Sequence, residues 1–317
     1  MSSYDRGDRE PALPKPYEFV PLPVGRPLLS KPAGHDRYGS NLLSGELRAT
    51  IIARSPIHVA SGLLEPRRDP KNPLVKALFR SNGQPVIPGT SLKGCIRSIV
   101  EAISPSAVTM TKAFIPGDLD PSRSAERLDV TQRIFGMLGY QGNVAFADAR
   151  LCEGTMAIIR SVQLHQPAKS TRPYLDGGQS KGRKFYMHGA LAKGDLPLEA
   201  IAEGSSLDLL ARFENLTHGE LGLLLTGLGV GDMKLWPKLG GAKPACLGTI
   251  EVTEPSVTIF DSHVGYANFA IEPQPMEIAP LLEAARAEGL ILDEQMSKLA
   301  DTLRWPRMDR TCPDRSY

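Results

Sequence analysis
The chain reads as an α+β protein on three observations. Stretches with strand-like alternation are interleaved with stretches whose apolar residues recur at three and four positions. Of its 317 residues, 41% are hydrophobic, enough to bury a substantial core in one large domain or a domain with a second lobe. No apolar run reaches the length needed to span a bilayer, so no membrane partner is expected.

Residues 1–44 are rich in Pro, Gly and charge around one apolar island, "PYEFVPLP", which suggests an extended arm lying over a surface or partner. The core is expected over 45–270. It opens with "GELRATIIARSPIHVASG", a strand ending in a loop. A basic loop "LLEPRRDPKNP" and a short strand near "LVKALF" follow. In "PVIPGTSLKGCIRSIVEAI", Pro88 and Gly89 make a turn. Thr90 or Ser91 could accept from the free amides of a helix starting at about Leu92. Leu92, Cys95, Ile96, Ile99, Val100 and Ile103 form its apolar face, and Lys93, Arg97 and Glu101 line another. Such a helix start attracts phosphate but also occurs as plain architecture, and the G-x-x-x-x-G-K-[ST] order of a phosphate-binding loop is absent.

Further on, loop and short helix precede two strands, "NVAFADARLC" and "MAIIRSVQLH". Between Gln166 and Tyr186 lies a loop-like segment. Its glycines permit close approach, its bases supply charge, and Tyr174, Phe185 and Tyr186 offer stacking faces, the ingredients of an RNA contact. "SSLDLLARFENL" alternates as a strand, "THGELGLLLTGLG" reads as a helix capped by its threonine, and "PKLGGAKPACLGTIEVTEPSVTIF" is a glycine-rich loop feeding another strand. Residues 271–317 are expected to be an acidic helical segment with an irregular tail. Phe135 and Phe146 fit the core better than a stacking role.

The net charge of +2 is too small to indicate nucleic acid, but it is unevenly spread. From Arg54 to Arg97 eight bases face two acids, from Arg160 to His188 six face one, and from 272 to 303 seven acids face two bases. Cys95, Cys152, Cys246 and Cys312 form no C-x-x-C pair. They read as reduced cysteines of a cytoplasmic protein, with no zinc site or disulfide framework, and the N-terminus lacks the apolar core of a signal peptide.

Four segments, "SPIHVASG", "PVIPGTSLKGCIRSIVEA", "RIFGMLGYQGNVAFADA" and "LGGAKPACLGTIEV", resemble in wording and order the RAMP superfamily of CRISPR proteins, in particular backbone-type subunits of type III or type III-derived effector complexes. "PYEFVPLP", "GRKFYMH" and "FENLTHGELGLLLTGLG" extend the resemblance over most of residues 17–260. It implies a ferredoxin-like, RNA-recognition-motif-like β-α-β-β-α-β core with insertions. One insertion would be a thumb-like hairpin, for which 63–84 and 166–186 are the candidates. It also implies CRISPR RNA as partner, complementary target RNA, other copies of the chain, other effector subunits and in some assemblies a separate nuclease. The guide would lie against the glycine-rich loop and the helix opening. The basic residues that would serve it are Arg54, His58, Arg67, Arg68, Lys93, Arg97, Arg172, Lys181, Arg183, Lys184, Lys234, Lys238 and Lys243, with Ser91 beside them.

Several such subunits cut target RNA through an Asp in a "D-[NS]-P-V" pattern. Here the words are "KNPLV", with Lys71 at that position, which leaves cleavage in doubt. Asp69, two residues earlier, could recruit Mg²⁺ near a scissile phosphate, or pair with the arginines beside it. His58 could act as a general base or pack beneath the guide. His165 and His188 would serve a metal-independent nuclease, but show no paired pattern. The leading expectation is a binding subunit, with two alternatives: a metal-dependent endoribonuclease centred on Asp69, or a terminal cap that docks partners.

Overall fold
The computed structural model describes residues 16–68, 70–71, 73–108, 119–121, 124–164, 172–261, 265, 267, 272–307 and 309–313. β1 (Tyr17–Val20) and β2 (Leu43–Ala53) are followed by β3 (Ala60–Pro66), β4 (Leu74–Leu78), β5 (Arg80–Ser81) and β6 (Gln84–Ile87), which lead into α1 (Gly89–Ile103). Next come α2 (Val130–Phe135), β7 (Gly136–Met137), β8 (Tyr140–Gln141), β9 (Val144–Phe146), β10 (Ala149–Glu153) and β11 (Met156–Ser161). β12 (Leu175–Asp176), β13 (Gln179–Ser180), β14 (Arg183–Tyr186), β15 (Leu196–Ile201) and β16 (Ser206–Leu216) precede α3 (His218–Gly227). β17 (Ile250–Phe260), β18 (Pro273–Met276), α4 (Ile278–Ala287) and α5 (Asp293–Thr302) complete the order.

The main sheet runs β18-β17-β2-β16-β10-β6-β5, with β9 also paired to β16. At its centre the chain order β2-α1-β10-β16-α3-β17 gives the spatial order β17-β2-β16-β10, with every pairing antiparallel. This is the ferredoxin-like arrangement. β3 to β6 are inserted between β2 and α1, and β3 and β4 join β15 and β11 in a second sheet.

Alternation along β2 and β16 puts Leu47, Ile51, Leu209, Ala211 and Phe213 into the core, where Leu92, Ile96, Ile99 and Val100 of α1 meet them. α3 is buried on nearly every side because α1, α4 and β16 all pack on it. Gly222 is what lets α4 approach, since a Cβ there would overlap the Leu281 carbonyl oxygen. Asp129 and Thr217 cap α2 and α3 in capping boxes with Gln132 and Glu220, the second as the sequence pattern predicts.

The structure departs from the sequence reading at the start of α1 and at the cysteines. α1 begins at Gly89 rather than near Leu92, and neither Thr90 nor Ser91 caps it. The carboxylate of Asp148 accepts the Gly89 amide at 2.9 Å instead, a partner 59 residues downstream. The arm lies on its own chain from its first described strand, β1 pairing with β14 and Ser30 bridging to Leu128. Finally, only Cys95 and Cys152 are free thiols; Cys246 and Cys312 form a disulfide across 66 residues, with Cα atoms 5.8 Å apart. The tail returns beside Gly189 and Ala190, where Thr311 bridges Ala190 and the Cys312 amide donates to the Ala190 carbonyl at 3.0 Å. That return path leaves no trace in the spacing of the cysteines. Around the disulfide Val162, Ala192, Leu198, Ala245 and Leu247 make a second, small apolar cluster.

Both thumb candidates contain hairpins. β3 and β4 pair in the first, with Leu63, Leu64 and Leu74 exposed on it, and β12 and β13 pair in the second.

Candidate nucleic-acid interface
The loop from Trp236 to Gly248 touches both the turn carrying His58 and α1 at Cys95, the middle of the helix. The Gly241 amide donates to the His58 carbonyl at 2.7 Å, and the free Cys95 thiol of α1 lies 3.5 Å from the Lys238 carbonyl. Gly240 sits at φ +83°, and a Cβ there would come within 2.5 Å of the same His58 carbonyl oxygen. Both conformation and space therefore require glycine at 240.

His58 is buried beneath this loop. Its Nδ1 lies 2.6 Å from the Glu199 carbonyl oxygen, which can only accept, so Nδ1 carries the proton and Nε2 keeps its lone pair. Burial, the larger influence, with the nearby Lys76 charge, holds the imidazole below its ordinary pKa, so it is neutral at pH 7. His188 is buried too, between the Thr249 hydroxyl and the Trp236 carbonyl, and burial together with Lys238 pushes it down to about 3. It is a structural imidazole in this arrangement. His165 and Asp69 lie outside the described residues.

The basic residues singled out from the sequence fall into two groups. Arg54 and Lys234 are both tied to Glu251, Arg54 through Nε at 2.6 Å, and Lys234 also lies 5.3 Å from the Trp236 ring centroid. Arg67 pairs with Glu199. Arg97 bonds Glu101 and the Gly136 carbonyl, each at 2.9 Å, and Arg183 reaches the same Glu101. Lys184 stands over the rings of Tyr17, Tyr174 and Tyr186, 4.8 to 5.2 Å from their centroids, and donates to the Tyr186 hydroxyl at 3.1 Å. Lys238 is buried and donates to the Met187 carbonyl at 2.9 Å.

The second group faces outward. The side chains of Lys93, Lys243, Arg68 and Lys181 make no hydrogen bond or ion pair to the described residues, and Arg68 and Lys181 are exposed. Lys93 is half-buried on the first turn of α1, and burial followed by repulsion from Arg97 lowers its pKa. Ser91 is half-buried on the same turn, and Arg172 is exposed in the turn Arg172–Tyr174. Lys243 belongs to the glycine-rich loop and Lys93 to α1, two positions before Cys95; Arg68 belongs to the β3–β4 connection and Lys181 to the segment after β13.

Sequence reasoning passed over the carboxylates that hold the first group. Glu199, 4% exposed, takes Arg80 at 2.8 and 2.5 Å, Arg67, and the Leu78 amide at 3.1 Å. Burial alone would raise its carboxyl, but these donors, Arg80 foremost, bring it down to about 2. No group of three or more His, Cys, Asp or Glu side chains suited to a metal occurs among the described residues. No helix among them is long and apolar enough to cross a membrane.

The protein is thus an α+β protein with an antiparallel ferredoxin-like core and a glycine-rich loop packed on its first helix at Cys95. The model of the RAMP superfamily matches residues 50–250, and the chain belongs to that superfamily, whose members work in CRISPR RNA–protein complexes. No curated relative matches the chain.

Proposed function
We propose that this chain is a backbone subunit of a type III or type III-derived effector complex, present in several copies along one CRISPR RNA. The observation that carries this reading is the contact of the glycine-rich loop with Cys95 of α1, which makes a ridge with Lys243 in the loop and Lys93 two residues before Cys95. Two cations with no ion-pair partner among the described residues stand beside backbone that glycine keeps low. Side chains of this kind hold phosphates without reading bases, so sequence recognition falls to pairing between guide and target. The internally paired arginines keep the ridge in shape rather than touching RNA themselves.

The test is binding of labelled guide RNA by the full chain and by Lys93→Glu, Lys243→Glu and the double variant, across a range of salt. Affinity falls in each variant, and the slope of log K against log salt becomes shallower by about 0.7 for each single-strand phosphate that the variant no longer neutralises. Equal affinity and equal slope in all four proteins would remove the ridge from the interface. Adding complementary RNA with Mg²⁺, to wild type and Asp69→Ala, addresses cleavage in the same preparation. Regular cuts that disappear in Asp69→Ala would replace the binding reading with the nuclease one.

A further inference from the structure
Where the tail crosses the glycine-rich loop, positive charge collects around a single methionine. Lys238, 5% exposed, gives its ammonium to the Met187 carbonyl at 2.9 Å. The Nη1 atoms of Arg307 and Arg310 both point at the Met187 thioether sulfur, at 3.6 and 3.5 Å. A thioether is a weak acceptor and offers little to a guanidinium. The Nε atoms of both arginines are buried without a hydrogen-bond partner. Arg307 otherwise has the Asp301 carbonyl at 3.3 Å and the carboxylate of Asp309, 64% exposed, at 3.8 Å from its Nε. Glu18, the other carboxylate that acts on Arg310, lies 3.5 Å from the Lys298 ammonium.

Cations this enclosed ordinarily find carboxylates, as Arg67, Arg80, Arg97 and Arg183 do elsewhere in the molecule. Here all three make close contact with the carbonyl or the thioether of Met187, the one paired carboxylate is the exposed Asp309 at 3.8 Å, and Lys243 adds a fourth charge that acts on Lys238. The position is not accidental to the fold. The Cys246–Cys312 disulfide and the bond from the Ala190 amide to the Arg310 carbonyl, 2.8 Å long, fix the tail here. A planar guanidinium pair beside an ammonium matches the oxygens of a tetrahedral oxyanion.

We infer that Arg307, Arg310 and Lys238 form a phosphate-binding site beside Met187, built jointly by the glycine-rich loop and a tail outside the family match. The phosphate belongs either to the RNA backbone, in which case the site extends the interface proposed above and rests on that reading, or to a free phosphate ion. Two arms separate these sources. In the first, the full chain is melted in low millimolar inorganic phosphate and in chloride of equal ionic strength, as wild type and as Arg307→Gln/Arg310→Gln. Phosphate raises the wild-type melting temperature in a concentration-dependent way, and the rise is absent in the variant. In the second, guide RNA binding is followed against salt in the same two proteins, and the variant's slope is shallower by about 0.7 or more.

A wild type that melts alike in both salts and an RNA slope common to both proteins would overturn the site. So would a phosphate response that the variant keeps in full, because that response is generic. Loss of the phosphate response with an unchanged RNA slope assigns the site to the free ion. A wild type that binds no guide RNA sinks the proposed function and leaves the first arm to decide this site alone. Should the variant fail to fold, Arg310→Lys, which keeps the charge and loses the planar fork, takes its place in both arms.

Discussion
Glu199 shows how much a single side chain can hold. Its carboxylate ties Arg67, at the turn end of the β3–β4 hairpin, and Arg80 of β5, just past its base, to β15. The group titrates near 4.5 when unfolded and near 2 when folded, so its contribution is fully present above pH 4.5 and is lost as pH falls toward 2. A shift of that size corresponds to about 3 kcal/mol. Glu199→Gln therefore lowers stability at pH 7 by about that amount and flattens the profile between pH 4.5 and 2, measured by urea unfolding at a series of pH values. An unchanged acid limb would show that the pairing contributes nothing. Glu199 sits in a run, Leu198–Ile201, that is buried on both faces, where alternation with Leu198 and Ala200 would turn it outward; its partners lie 119 and 132 residues away and carry no local signal. The same holds for the basic residues: their charge is legible in the sequence, whereas which of them are taken up by Glu101, Glu199 and Glu251 is not.

At the scale of elements, the strongest periodic patterns are the ones the structure returns. α1 and β16 stand where their apolar spacings put them, and α3, apolar all round, where its run follows a Thr217 cap that can be read three residues from its partner. The start of α1 is not legible locally because the group that satisfies it comes from the β9–β10 connection. Asp148 also brings a negative charge to the positive end of the helix, the place a phosphate would otherwise favour. This shifts anion binding away from the α1 amides toward the lysine side chains. Asp148→Ala costs about 1 kcal/mol of stability, read as a lower melting temperature. An unchanged melting temperature would mean that the Gly89 amide is equally well served by water.

For the whole molecule, the family match ends at residue 250, yet the chain beyond it is built into the core and the second cluster. Leu281, Ala285, Met296 and Leu299 pack with the central apolar residues, and Cys312 closes on Cys246. A crosslink spanning 66 residues stabilises by about 4 kcal/mol if its whole effect is to restrict the unfolded chain. Cys312→Ser accordingly melts below wild type in oxidising buffer, and the difference closes when reductant is added to both. Equal melting in oxidising buffer would show that the bond adds nothing to what the tail's packing supplies.

The pairing of β1 with β14 sets a schedule for synthesis. Tyr17 leaves the ribosome long before Tyr186, its partner in the ladder. Until then Tyr17–Val20 has no neighbouring strand, and the same delay keeps Lys184 from its place over the ring of Tyr17. The beginning of the described chain is thus fastened only after α1 and β2 have been made, and a nascent chain halted before residue 183 exposes this segment to protease while the finished protein shields it.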